Sequence, residues 1–258
     1  MYFRRLTAIS WARKLVFFLL LLAVWQGFVW IGVWPEFIFP SPFSVVQTLT
    51  RGFQNRTFII AIVTSMERIL IGFGISAVVG MLLGLALGRI RLLDETVGSL
   101  VLGLQALPSI CWLPLALLWF GLSETAILFV VVMGALLSIT LATEAGVKNT
   151  PPLYLRAARN LGARGWRLYA RVVLPAALPA IITGMKLGWS FAWRSLMAGE
   201  LLYVSLGLGQ LLMMGRDLND MSQVVAVMLV IIAIGLAVDR LIFAPLESRV
   251  RERWGLQG

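Results

Sequence analysis

Residues Leu153–Pro179 read LYLRAARNLGARGWRLYARVVLPAALP, a basic, helix-forming stretch set between two long apolar blocks. Six cations, Lys148, Arg156, Arg159, Arg164, Arg167 and Arg171, fall in it or just before it. Pro151-Pro152 ends the preceding helix, and proline is well placed at the start of a new one. Residues 153–161 are good helix formers, and Gly162 can supply a turn with positive φ. A second short helix over Gly165–Val173 then folds back, giving a helix–turn–helix knob in which Ala157 and Ala158 are small enough for close contact with a partner. A solvated basic loop touching anionic lipid is the simpler alternative. Such a loop needs neither the small residues nor the placed glycine.

The flanks of this stretch set the fold class. Of the 258 residues, 60% are hydrophobic and 13% charged, against about 45–50% and about 25% in soluble domains. With a mean hydropathy of +0.91, the chain reads as an all-α, polytopic membrane protein. A formal charge of +10 would point to nucleic acid in a soluble protein, but cytoplasmic loops of membrane proteins collect Lys and Arg. The partner it implies is therefore the lipid bilayer, with no nucleic acid. One cysteine, Cys111, allows no disulfide framework within a chain. The absence of histidine removes the commonest metal ligand and general base, so no metal site is expected and no Ser-His or Cys-His pair exists.

Six spans follow from the apolar runs. Leu15–Trp34 is about the 20 residues a bilayer requires, and no small-residue cleavage pattern follows it. After Pro40-Ser41-Pro42, the capping-box pattern Ser44-x-x-Gln47 opens a short amphipathic surface helix. The second span, Ile59 to Gly88, carries Gly72, Ser76, Gly80, Gly84 and Gly88 every fourth residue, a stripe that lets membrane helices approach closely. The third, Asp94 to Phe120, contains Pro108 and Pro114, which predict a kinked helix able to line a path. Spans over Ala126–Gly146, Ala176–Ala198 and Gln223–Phe243 complete the set, with Glu200 to Ser222 as a polar connection.

With the N-terminus inside, fifteen of the 22 cations fall in cytoplasmic segments. Three (Arg51, Arg56, Arg216) fall outside, and four (Arg68, Lys186, Arg194, Arg240) lie in or at the ends of spans. The positive-inside rule thus favours both termini in the cytoplasm. The expected organisation is a cytoplasmic N-terminus (1–14), one transmembrane domain (15–246, with the loop 148–175) and a cytoplasmic tail (247–258).

The knob then lies between the fourth and fifth helices. Its spacing, Ala157-Ala158, Gly162, then Val172-x-Leu174-Pro175, resembles the EAA loop of ABC-transporter permeases of the binding-protein-dependent, MetI-like fold. Pro40-Ser41-Pro42-x-x-Val45, Ser65-x-x-Arg68-Ile69-Leu70-Ile71-Gly72-Phe73 and Leu118-Trp119-Phe120-Gly121-Leu122-Ser123-Glu124 resemble the nitrate, sulfonate, taurine and bicarbonate branch. The resemblance implies a coupling helix–turn–helix that docks an ATPase through Leu153, Arg156, Ala157, Ala158, Gly162, Ala163, Leu174 and Pro175. Arg156 stands where the family has its leading glutamate, so docking here should lean on Ala157, Ala158 and Gly162. It also implies a homodimer, two ATPase subunits, a binding protein outside a bacterial inner membrane, and a small oxyanion as the cargo.

No G-x-x-x-x-G-K-[ST] phosphate loop occurs, so ATP and its Mg belong to a separate subunit and this chain is not an enzyme. Charged residues within spans are costly and are candidates for the path: Arg68, Glu144, Lys186, Arg194 and Glu200, with Glu67 beside them. Pairing competes with this role, Arg68 with Glu67 or another acid near the outer end and Lys186 with Glu144. A membrane-embedded enzyme lacks any supporting dyad, and an ion-coupled carrier lacks the inverted halves often seen there.

Overall fold

In hydrocarbon every backbone N–H and C=O must find its partner within the segment, so apolar runs of this length fold as helices. The computed structural model describes residues 2–202 and 206–253, and every element in them is helical. Residues 254–258 of the expected tail lie outside the described residues, as do the side chains of Arg4, Arg5, Arg251 and Arg253. The elements are α1 (Tyr2–Ile31), α2 (Pro42–Gln54), α3 (Thr57–Arg89), α4 (Arg91–Gln105) and α5 (Ser109–Phe120). There follow α6 (Glu124–Lys148), α7 (Pro152–Asn160), α8 (Gly165–Leu202), α9 (Leu208–Asp217) and α10 (Met221–Val250). Five of these, α1, α3, α6, α8 and α10, are long and apolar enough to cross a membrane, and α4 with α5 makes up to six.

That last pair corrects the reading of the third span. Residues 94–120 do not form one kinked helix: α4 and α5 meet at 105°. Pro108 has no N–H to continue the ladder, and the amides of Ala106 and Leu107 close tight turns on the carbonyls of Gly103 and Leu104. Pro114 instead lies in the first turn of the segment Leu113–Phe120, where a missing N–H costs nothing.

Three smaller boundaries also differ. The surface helix is capped by Ser41, whose Oγ accepts from the Ser44 N–H at 3.1 Å, because Pro42 fixes the helix start three residues before the expected box. The fifth span does not begin near Ala176: a π-helical turn, Tyr169–Val173, joins the second arm of the knob to it as the single helix α8. The polar connection from Glu200 is also helical in large part, since α8 runs through Glu200 to Leu202 and α9 buries Leu208 and Leu211.

The chain divides into two compact units. In residues 1–61 with 211–231, Trp25 Nε1 donates to the Pro40 carbonyl at 2.9 Å, Ser222 Oγ donates to Ser44 Oγ at 3.1 Å, and Val45 is buried. In residues 62–210 with 232–258, α6 is the central element, and it is packed through two seams of small residues. On the α3 side, a Cβ at Gly72 would meet Val131 at 2.6 Å, one at Gly84 the Thr140 carbonyl at 2.5 Å, and one at Gly88 Val147 at 2.7 Å. A Cβ at Gly80 would meet the Leu136 carbonyl at 3.0 Å, while Ser76 Oγ donates to the Val132 carbonyl at 3.0 Å. On the α8 side, Gly188 lies against Ile139, Gly184 against Ala142, and Gly134 of α6 against Ser195.

Between apolar helices in lipid there is little hydrophobic drive, so association rests on close van der Waals packing. Gly84→Val should therefore destabilise the detergent-solubilised protein by about 1–3 kcal/mol, since a backbone carbonyl cannot move aside. Gly74→Ala, where nothing lies within 4 Å of the added carbon, should not lower the melting temperature, since alanine is the better helix former. Thermal unfolding followed by size-exclusion chromatography compares the two.

Candidate functional site

The knob is shaped by its turn. At the end of α7 the Gly162 N–H bonds the Arg159 carbonyl at 3.0 Å and the Ala163 N–H the Ala158 carbonyl at 2.9 Å. This pair is a Schellman motif, which needs a left-handed residue, and Gly162 supplies it at φ +82°. Leu155 and Tyr169 pack against the buried Val147, Val173, Ala177 and Ile181, which fixes the knob to the ends of α6 and α8.

The two adjacent alanines part company. Ala157 and Arg156 are exposed, whereas Ala158 is buried with Leu168. Ala163, Leu174 and Pro175 are half-buried. The outer face carries bulky apolar groups: the docking candidate Leu153 is 70% exposed, and so are two residues that sequence reasoning missed, Trp166 at 74% and Leu161 at 88%. Helical spacing could have found the inward face, because Leu155 and Ala158 are three apart.

The charged residues of the spans sort into separate groups. Arg68 is buried and donates from Nε and Nη2 to both carboxylate oxygens of Glu124, each at 2.6 Å, and from Nη1 to Glu200 Oε1 at 2.7 Å. Glu200, fully buried, also accepts from Ser65 Oγ at 2.8 Å and from the Gly209 N–H at 2.9 Å. Gly207 has no room for a side chain, since a Cβ would meet the Glu200 carboxyl carbon at 2.6 Å. Arg68 thus pairs with two acids distant in sequence, and Glu67 is exposed.

Lys186 does not pair with Glu144. Its ammonium lies 2.7 Å from Asp239 and 3.9 Å from Glu247 on α10. Glu144 instead holds Lys148 one helical turn away at 2.8 Å, and Lys148 also reaches Asp94 at 2.6 Å. Asp94 and Asp239 each sit in a π-helical turn, and Tyr169, in the π turn of α8, lies under the Arg89 guanidinium at 4.6 Å. Widening one turn redirects a side chain, and all three redirected groups meet a cation.

Arg194 stands apart. Its guanidinium lies 5.7 Å from the Phe191 ring centre, and among the described residues no carboxylate is within ion-pair distance of it. It lines a cavity of about 490 Å³ with Gln105, Pro108, Ser109 and Ser138. Among the described residues no group of three or more His, Cys, Asp or Glu is arranged to hold a metal ion.

Residues 76–252 match the family described as binding-protein-dependent transport system inner membrane component. The chain belongs to this family. The permease is 36% identical over 208 residues to a protein named as an ABC transporter permease in Methanocaldococcus jannaschii, covering 79% of this chain and 78% of the relative. It is 28% identical to the nitrate import permease of Synechocystis (82% of this chain, 80% of the relative). It is 29% identical to the bicarbonate transport permease of Synechococcus elongatus (90% of each). The permease is a multi-pass transport subunit and not an enzyme.

Removing one member of a buried ion pair leaves a charge without compensation and costs about 3–5 kcal/mol. Glu200→Leu should therefore lower the permease's thermal stability sharply, and Glu124→Ala, at a carboxylate half open to solvent, much less. The double substitution Arg68→Met with Glu200→Leu should cost less than the sum of the singles. Equal, additive losses across that cycle would mean the pair is not coupled.

Proposed function

We propose that this chain is the membrane-spanning subunit of an ATP-driven importer for a small oxyanion of the nitrate, sulfonate or bicarbonate class. The observation that carries the importer reading is the knob. It presents a rigid, glycine-terminated helix whose exposed face combines Leu153, Leu161 and Trp166 with Ala157 and a set of arginines. Large apolar side chains at full exposure call for a protein partner, and the surrounding Arg156, Arg159, Arg164 and Arg167 call for an acidic rim on it.

In this reading the partner is the ATPase that binds ATP and Mg, and this chain binds neither. Residues 1–14, the loop 148–175 and the tail 247–258 face the cytoplasm, residues 15–246 form the permease domain, and the membrane is a bacterial inner membrane. Two copies of the chain work with two ATPases and an external binding protein that delivers the solute. The oxyanion class is supported by the names of the nitrate and bicarbonate relatives.

Tagged permease should bring down an ATPase. Trp166→Asp and Ala157→Glu should abolish that co-purification and with it uptake, while leaving the permease folded, because both side chains lie outside the packed core. Gly162→Val should do the same by straining the left-handed turn. Uptake that persists with no ATPase bound would sink the importer reading.

A further inference from the structure

We propose that Arg194, at the break between α4 and α5, is the residue of the translocation path that contacts the anion, and that Arg68 and Lys186, each already held by carboxylates, are structural. The proposal rests on the oxyanion reading above and names the site that reading leaves open.

Sorting by neutralisation gives the first argument. A cation can attract a passing anion only if no fixed carboxylate already holds it. Arg68 holds two carboxylates and Lys186 faces two. Arg240, like Arg194, has no carboxylate within ion-pair distance among the described residues, but it lies beyond the apolar stretch Met221–Val238 and does not line the cavity. Arg194 has an aromatic neighbour, Phe191, and no acid within ion-pair distance among the described residues.

Depth gives the second. Gly134 of α6 touches Ser195 and the Phe191 carbonyl, which puts Arg194 at its level. Gly134 lies well inside the 25-residue helix that starts at Glu124, roughly 15 Å from that end at about 1.5 Å per residue. A cation at such depth is expensive unless it faces water or a ligand.

The cavity gives the third. Non-helical backbone at membrane depth is tolerated only where it is buried in protein or lines a water-filled space. The break around Pro108 lies on this cavity, and Gln105, Ser109 and Ser138 are among the residues that line it. One positive charge with three neutral polar groups fits a small monovalent oxyanion.

The test places a thiol at the break, Ser109→Cys, in full-length permease with Cys111→Ser, and measures its modification in membrane vesicles. A sulfonate-bearing and a trimethylammonium-bearing methanethiosulfonate are compared. The sulfonate-to-ammonium rate ratio should fall by about tenfold or more when Arg194→Gln is added, and Arg194→Lys should restore most of it. A ratio unchanged by Arg194→Gln, as when an acid of a second copy neutralises the guanidinium, overturns the proposal. So does a thiol that neither reagent reaches. Uptake of nitrate and bicarbonate by the assembled transporter separates the two levels. Wild-type uptake of either ion, matched by Arg194→Gln and with an unchanged ratio, removes Arg194 from the path and leaves the oxyanion reading standing. A ratio that falls as expected, with neither ion taken up by the wild type, keeps the anion-contacting Arg194 and fails the choice of cargo.

Discussion

Everything in the larger unit depends on how closely two helices approach α6. On one face the stripe of Gly72, Ser76, Gly80, Gly84 and Gly88 brings α3 near enough to touch carbonyls. On the other, Gly184, Gly188 and Ser195 do the same for α8. Neither contact draws strength from excluding water, because lipid tails are as apolar as the side chains they replace. Short distance is what makes dispersion sufficient, and the missing side chains are what make the distance short. The block of α3, α6 and α8 is therefore the rigid frame against which the charged groups are positioned.

That frame explains why most of the charges of the spans are held in pairs. Close helices bring Arg68 of α3 to Glu124 at the start of α6 and to Glu200 near the end of α8, the latter satisfied by further hydrogen bonds from Ser65 and Gly209. At the other end of α6, Lys148 meets Asp94 and Glu144. An ion pair in low dielectric is worth its desolvation only when the remaining donors and acceptors are also met, and the Glu200 cluster meets that condition. Arg194 does not belong to this class of arrangement, and its position on a cavity rather than in a seam is the physical difference.

The α3 stripe could be read directly from the sequence because its period of four is unbroken over five residues. The matching seam on α8 was hidden, since Gly184, Gly188 and Ser195 are interleaved with Trp189 and Trp193, whose bulk masks the pattern. The knob's turn was legible in Gly162, yet which alanine faced outward was not, because that depends on how α7 lies against Val147 and Val173. Pairings between distant elements were the least legible. Lys186 finds Asp239 rather than Glu144 because a π turn rotates Asp239 into reach, and no local preference announces such a turn. Likewise Pro108 was visible as a disturbance, but a kink and a 105° break have the same one-dimensional signature.

The two ends of α8 are held differently, and this bears on how a push at the knob would act. Near its far end Glu200 is fixed by Arg68, Ser65 and the backbone at Gly209. At its start the helix emerges from the knob through a π turn with no intervening loop. On the docking reading proposed above, force applied at Trp166 enters α8 directly, through a helix that carries a π turn at Tyr169–Val173 and a proline, Pro179, and whose far end is held by hydrogen bonds. Because the knob is packed on the ends of both α6 and α8, the push is shared by the two helices and does not move α8 alone. Arg194 lies six residues from Glu200 and 28 from Trp166, near the hydrogen-bonded end of α8. A charge in the path is thereby set beside the part of α8 that ion pairs and hydrogen bonds hold most firmly, and away from the end that docking would push.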